Sequence, residues 1–150
     1  MRKVFIIIIV ICIGNILFAQ KKFDLSNNIL YKTKLFQIYK KGGLEYTTAV
    51  FDEIVNRIKK RKDFRAYKRI IAMSGESDGS ISSLLGAYYK DLLEWNPKRF
   101  YNMVEKSNNS ETVYMLMLHS YYDNFPEKYL KINSSATKKI KKILKEKSNY

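Results

Sequence analysis

The sequence has almost none of the residues that covalent cross-links and metal sites require. It contains one cysteine, one histidine, one tryptophan and two prolines. The cysteine, Cys12, lies in an apolar run near the N-terminus, so residues 20–150 offer no disulfide, no thiol nucleophile and no thiolate ligand for zinc. With a single imidazole, His119, and no suitable pairing of carboxylates, the sequence predicts neither a metal site nor a cofactor.

The first nineteen residues are arranged like a secretory signal peptide. A short positive start is followed by an apolar run over residues 4–18 and by the small residue Ala19, after which the chain becomes polar. This layout predicts a signal peptide at residues 1–19, cleaved after Ala19, and one domain at residues 20–150 that is periplasmic or secreted. The alternative is an uncleaved N-terminal membrane anchor, although the run is short for a span of about 20 apolar residues.

Positive charge is what the sequence has in excess. Lys and Arg number 28 against 14 Asp and Glu, which gives a formal net charge of +14. Such an excess attracts polyanions in a salt-dependent way but does not decide the fold. Large apolar side chains are also plentiful, with twelve tyrosines and eight phenylalanines. They suffice for one hydrophobic core in a domain of about 130 residues.

Apolar residues recur at intervals of three and four along most of the chain, which predicts an all-α fold. The pattern is clearest over residues 80–106, where Asn96 and Pro97 separate two helices, because a proline disfavours helix in the residue before it and suits the first turn of the next helix. The two helices form a hairpin, and we expect the domain to consist of successive hairpins, arranged as an α-solenoid or as an orthogonal bundle. The first of the two helices is expected to bury Ile81, Leu84, Leu85, Tyr88, Leu92 and Trp95.

Three further segments before this hairpin are predicted to be helical. Residues 27–39 predict one helix, capped by Asn27 or Asn28 and ended by the pair Gly42 and Gly43, with a short strand as the alternative. Thr47 or Thr48 is expected to begin the next helix, and Asp63 is expected to cap a short helix after it. All three carry apolar residues with helical spacing.

Three further helical segments are predicted after the hairpin, the second of them a short piece that follows Pro126 and carries Tyr129 and Leu130. Residues 111–123, capped by Ser110, have apolar residues on both sides, Met115 and Tyr122 among them, which predicts the most enclosed helix of the fold. Residues 135–147 are amphipathic, with lysines on the outer face.

Two similar motifs lie about 30 residues apart. The pair Tyr88-Tyr89 followed by Pro97 is answered by Tyr121-Tyr122 followed by Pro126. A period near 30 is typical of helical hairpins that stack side by side. Over residues 47–130 the chain resembles degenerate helical-repeat proteins of the HEAT or tetratricopeptide kind. The resemblance implies a solenoid-like fold and assigns a function to no residue.

Residues 75–79, Gly-Glu-Ser-Asp-Gly, match the G-x-S-x-G pattern of a nucleophile elbow. In that interpretation Ser77 is the nucleophile of a small serine esterase and His119 is its base. The elbow needs a parallel sheet and an oxyanion segment, which the sequence does not predict. A turn that ends one helix and begins the next, capped by Asp78 or Ser80, is therefore the favoured interpretation.

Residues 57–69 contain eight Lys or Arg and one acidic residue, Asp63, with Phe64 and Tyr67 interleaved. Such a block is either a solvated helix face or a binding surface for an anionic partner. If the chain is exported, that partner is an anionic envelope polymer, a lipid headgroup or an acidic protein, with peripheral membrane contact as one form of binding, and nucleic acid is not expected. The candidate anion-binding residues are Arg57, Lys60, Arg61, Arg65, Lys68 and Arg69.

These features together favour an exported, non-enzymatic binding or scaffolding module of the cell envelope, with a basic surface for an anionic partner. The esterase based on Ser77 and His119 is one alternative. A protein inhibitor or immunity-type partner of a secreted toxin is another, and no residue singles it out.

Overall fold

The computed structural model describes residues 23–122 and 124–147, and within them the protein is all-α, as predicted, with no strand. The predicted signal peptide, residues 1–19, lies outside these ranges. Across the same ranges, no helix combines the length and the apolar character needed to cross a bilayer.

Seven α-helices and two short 3-10 helices make up this part of the chain. The 3-10 helices are Met73–Gly75 and Glu127–Lys131. The α-helices are α1 Asn27–Tyr31, α2 Leu35–Arg61, α3 Phe64–Ala72, α4 Gly79–Trp95, α5 Pro97–Val104, α6 Ser110–His119 and α7 Ser134–Lys147.

Most of the packing contacts join helices that are one or two positions apart along the chain. The most extensive contact is between α4 and α6; α2 packs against α3 and α4, and α5 packs against α4 and α3. Helix α7 covers α6 through Ala136 and Ile140, as its amphipathic pattern predicts. The buried side chains of all these helices form one continuous hydrophobic core.

The predicted single helix over residues 27–39 is wrong. Helix α1 ends at Tyr31, and α2 begins at Leu35 because its first backbone N–H donates to Oε2 of Glu76, 2.7 Å away and 41 residues later in the chain. The predicted break at Gly42 and Gly43 is a bend within α2, where Gly43 has φ 63° and ψ −153°. This conformation is open essentially only to glycine.

Of the other predicted caps, Asp63 is confirmed and Thr47 is wrong. Asp63 caps α3, accepting hydrogen bonds from the backbone N–H groups of Arg65 at 2.8 Å and Ala66 at 3.2 Å. Asn96 caps α5 through the N–H of Arg99. Thr47 is not a cap, because it lies inside α2 and its hydroxyl donates to a backbone carbonyl four residues earlier.

Ser110 is not a cap either, because the structure uses it differently. Asn109 occupies the N-cap position of α6, and its side chain makes no capping hydrogen bond. Ser110 is buried, and its Oγ accepts a hydrogen bond of 2.8 Å from Nζ of Lys139 on α7. The serine therefore joins α6 to α7.

The contact between α4 and α6 depends on Gly86. A Cβ atom at this position would lie 2.4 Å from the carbonyl oxygen of Leu116, so only glycine allows the helices to approach this closely. The buried face of α4 is consequently turned relative to the prediction: Tyr89 is fully buried, whereas Trp95 is 38% exposed. The complete buried set is Ile81, Leu85, Gly86, Tyr89, Leu92 and Leu93.

Helix α6 is not the enclosed helix that its composition predicts. Met115 and His119 are exposed, and Tyr122, which follows the helix with φ 46°, is 82% exposed. The helix buries one side, formed by Val113, Tyr114, Met117 and Leu118. Its outer side faces away from α4 and α7, so apolar composition alone overstated its burial.

Candidate functional site: a basic groove

Arg57, the first residue of the predicted anion-binding set, is part of the internal structure of the protein. Its Nε lies 2.7 Å from Oε1 of Glu53, and one of its Nη atoms donates to Oδ1 of Asn27 at 2.7 Å. The hydrogen bond from Arg57 lowers the pKa of Glu53, and the side chain of Arg57 is only 15% exposed. Arg57 therefore joins α1 to α2 and is not a free anion-binding group.

Arg69 is also held within the fold. One Nη atom pairs with Oε1 of Glu76 at 2.8 Å, the other donates to the carbonyl of Thr33 at 2.6 Å, and the side chain is 11% exposed. Burial acts to raise the pKa of Glu76, but the hydrogen bonds from Arg69 and from the N–H of Leu35 outweigh it, so the pKa is lowered. This pair fixes the loop after α3 to the start of α2.

Arg65 is exposed but lies against an aromatic ring. Its guanidinium carbon is 5.2 Å from the ring centre of Tyr31, and that of Arg57 is 5.6 Å from the same ring. The Tyr31 hydroxyl donates to Oδ2 of Asp63 at 2.6 Å, which lowers the pKa of that carboxyl. Three members of the predicted set thus belong to two polar networks, while Lys60, Arg61 and Lys68 extend into solvent.

Lys68 lines a groove between α3 and the turn that follows α5. The groove has a volume of about 350 Å³. Its apolar lining comes from Phe64, Ile71 and Ala72 of α3 and Met103 of α5. Its polar lining consists of Lys68, Lys106, Ser107, Asn108 and Asn109. We call this the basic groove, because it contains two lysines and none of the residues that line it is acidic.

A second depression adjoins the basic groove at Met103. It measures about 310 Å³ and is lined by Asn96, Lys98, Arg99, Asn102 and Met103. Arg99 is held in place there, because it donates to the carbonyl of Lys62 at 3.0 Å and lies 5.4 Å from the ring centre of Tyr67. The two depressions together present four cations, and none of their lining residues is a carboxylate.

Phe64 and Lys68 form a pair one helical turn apart at the groove. Nζ of Lys68 lies 4.9 Å from the ring centre of Phe64, within the range of a cation–π interaction. Phe64 is 49% exposed, and the buried face of α3 consists of Ala66, Tyr67, Ile70 and Ile71. The groove therefore combines an accessible aromatic ring with positive charge.

The G-x-S-x-G segment has the geometry of a connecting loop. A 3-10 helix precedes it, and no strand lies within the described residues. The Ser77 hydroxyl donates to the carbonyl of Ser74 at 3.2 Å and accepts from the Ser82 hydroxyl at 3.1 Å. Neither hydrogen bond involves His119, which is exposed on α6. Asp78 occupies the N-cap position of α4 without a side-chain hydrogen bond.

Among the residues that the structure describes, no group of three or more His, Cys, Asp or Glu side chains could hold a metal ion. Comparisons of the chain with protein-family models, with curated proteins and with solved structures find no match.

The sequence analysis identifies Lys68 but misses Met103, Lys106 and the polar turn at residues 107–109. One signal was present. Phe64 is followed by a lysine four residues later, and Met103 is followed by a lysine three residues later, so each side of the groove carries an apolar residue with a lysine one turn on. That the two pairs face one groove depends on the packing of α3 against α5.

Proposed function

We propose that this chain is an exported, non-enzymatic binding module of the cell envelope whose basic groove binds an anionic partner. The observation that carries the proposal is a concave site lined by apolar side chains and by Lys68 and Lys106, with no acidic residue in its lining. Concave sites with a few convergent polar groups are the usual form of binding sites. Cations that line a cleft focus positive potential more effectively than the same cations on a convex face.

The neighbouring cations extend this positive surface. Lys98 and Arg99 adjoin the groove at Met103. Lys60 and Arg61, at the end of α2, are exposed and add to the surrounding field. Arg57 and Arg69 contribute indirectly, because their internal pairings fix α1, α2 and the loop after α3. The Ser77 hydroxyl is hydrogen-bonded to Ser74 and Ser82 and not to His119, which favours binding over catalysis as the role of the chain.

We further propose that the single domain of residues 20–150 is a short solenoid-like array. In support, α2 contacts α4, α4 contacts α6, and α3 contacts α5, so helices of alternate position form two rows. Contact between successive units is typical of helical repeats; here α6 also reaches the 3-10 helix Met73–Gly75. The second copy of the internal motif departs from the first, because Pro126 precedes a 3-10 helix whereas Pro97 begins α5.

A salt series with a simple polyanion tests the proposed binding. The purified full chain is titrated with inorganic polyphosphate, and the association constant is measured at several salt concentrations. We expect binding that weakens steeply with salt, and a double variant, K68Q/K106Q, whose slope of log K against log salt is smaller by about two.

The matched control removes the same charge elsewhere. Lys138 and Lys141 are exposed on α7, away from the groove lining, so K138Q/K141Q should leave the slope close to that of the wild type. Binding that does not respond to salt, or equal losses in the two double variants, would contradict the assignment to the groove.

The proposed export has its own test. After expression of the full sequence in a bacterium, fractionation and N-terminal sequencing should recover a chain beginning at Gln20 outside the cytoplasm. Recovery of the intact chain in the membrane fraction would favour the anchor alternative. An intact chain in the cytoplasm would contradict export.

A further inference from the structure

We infer that the anionic partner of the basic groove is an acidic protein segment, which places a large apolar side chain against Phe64 and Met103 and carboxylates beside Lys68 and Lys106. The inference rests on the proposed function, and it selects one chemical class from the anionic partners that the charge alone would allow.

The apolar lining is the first reason for this choice. Phe64, which is half exposed, and Met103 line the groove together with its two lysines. Removing such surface from water is favourable only if the ligand brings apolar surface of its own. A linear phosphate polymer carries charge but no apolar group, so it would leave this lining uncovered. An acidic segment with a Leu or Phe side chain covers it.

The polar turn at residues 107–109 is the second reason. The side chains of Asn108 and Asn109 each offer a carbonyl acceptor as well as an NH₂ donor, and the Ser107 hydroxyl, which donates to the carbonyl of Val104 at 2.7 Å, can still accept. Phosphate groups accept hydrogen bonds but offer no N–H. The backbone of a peptide supplies both donors and acceptors, so it can pair with both halves of an amide side chain, whereas a polyphosphate can pair only with the NH₂ half.

The shape of the site is the third reason. Proteins that lie on an anionic membrane use an apolar helix face or a basic cluster that meets a flat surface. In the basic groove the apolar groups lie inside a cavity of about 350 Å³, and Lys68 and Lys106 come from its two sides. A flat bilayer surface follows such a concave lining less closely than a side chain that projects from a peptide.

Calorimetric titration with two peptides of equal charge tests the inference. Both are capped octapeptides of Asp and Glu; one carries Leu-Phe at its centre and the other carries Ser-Ser. We expect the Leu-Phe peptide to bind at least about tenfold more tightly, because its side chains become buried in the groove. The K68Q/K106Q variant should weaken both peptides, and K138Q/K141Q should weaken neither by more than twofold.

A variant at the apolar lining separates the apolar contribution to the affinity from that of charge. Because Phe64 is half exposed, F64S leaves the core intact. It should reduce the affinity for the Leu-Phe peptide to that for the Ser-Ser peptide and leave the latter unchanged. Polyphosphate and phosphatidylglycerol vesicles, titrated in parallel, are expected to bind more weakly than the Leu-Phe peptide and to show no difference between wild type and F64S.

The outcomes distinguish the two proposals. If the two peptides bind equally, or if vesicles or polyphosphate bind more tightly than the Leu-Phe peptide and lose affinity in K68Q/K106Q, the peptide inference is overturned and the anionic-binding proposal stands. If no probe binds in a salt-dependent way, both are overturned.

Discussion

Replacing Gly86 by alanine tests how closely α4 and α6 must pack. The added methyl group would stand 2.4 Å from the carbonyl oxygen of Leu116 and 2.6 Å from Oγ of Ser120. The serine hydroxyl can rotate away, but the carbonyl belongs to the backbone of α6. We therefore expect G86A to push the two helices apart.

The magnitude combines two opposing effects. Alanine is favoured over glycine in a helix interior by about 1 kcal/mol. Ordinary contact begins near 3.4 Å, so a separation of 2.4 Å requires a shift of about 1 Å. A gap of that size removes up to about half of the attraction between the facing atoms, and overpacking costs about 1–3 kcal/mol. Because α4 and α6 form the most extensive helix contact, we expect the upper end of this range and a net loss of about 2 kcal/mol.

Urea unfolding followed by far-ultraviolet circular dichroism measures this loss of unfolding free energy. In thermal unfolding we expect Tm to fall by roughly 6–8 °C. A87G, at the exposed neighbouring residue of α4, reports helix propensity alone and should cost about 1 kcal/mol. Adding S120A to G86A should recover little, since the Leu116 carbonyl remains. A G86A protein as stable as the wild type, or more stable, would refute the close approach.

Three further variants test polar contacts within the fold. E76Q should lower the free energy of unfolding by about 1–3 kcal/mol at pH 7, because the start of α2 loses a charged acceptor. The pKa of Glu76 is lowered from 4.5 in the folded protein. The stabilisation by its carboxylate is therefore complete above pH 4.5 and is lost as the pH falls through the lowered pKa. Denaturant unfolding at pH 7 and pH 3 should therefore show the gap between E76Q and wild type shrinking, and a gap of constant size would contradict the assignment. Y89F should cost about 1–3 kcal/mol, because the Tyr89 hydroxyl donates to the buried carbonyl of Ile70 at 2.7 Å. Y67F should cost less than Y89F, since the buried Tyr67 hydroxyl has no hydrogen-bond partner among the described residues and burial raises its pKa to about 12. The reverse order in thermal unfolding would show that this hydroxyl is satisfied.

The parts of the fold that sequence predicts well are set by neighbouring residues. Asp63 caps the helix that begins immediately after it, and Asn96 with Pro97 separates α4 from α5, because each effect acts within three residues. The amphipathic pattern of α7 likewise identifies its buried face. These features follow from helix geometry and need no knowledge of the tertiary structure.

The features that sequence missed depend on contacts between distant segments. Glu76 caps a helix that begins 41 residues earlier, and no local pattern records that pairing. Gly86 turns the buried face of α4 because a backbone carbonyl of α6 lies against it. The basic groove needs α3 and the turn after α5 to lie side by side, so the charge-rich residues 57–69 located only Lys68 correctly.

Several buried tyrosines donate hydrogen bonds to backbone carbonyls rather than to side chains. Tyr46 donates to the carbonyl of Asp24 at 2.6 Å, and Tyr101 donates to that of Tyr129 at 3.0 Å. Every amino acid presents the same carbonyl, so these anchors are blind to which residue occupies the acceptor position. They are sensitive to chain length instead: inserting or deleting a single residue between Asp24 and α1 would carry the acceptor past the Tyr46 hydroxyl. For this hydrogen bond, the spacing between residue 24 and α1 therefore matters more than the identity of the residue at position 24.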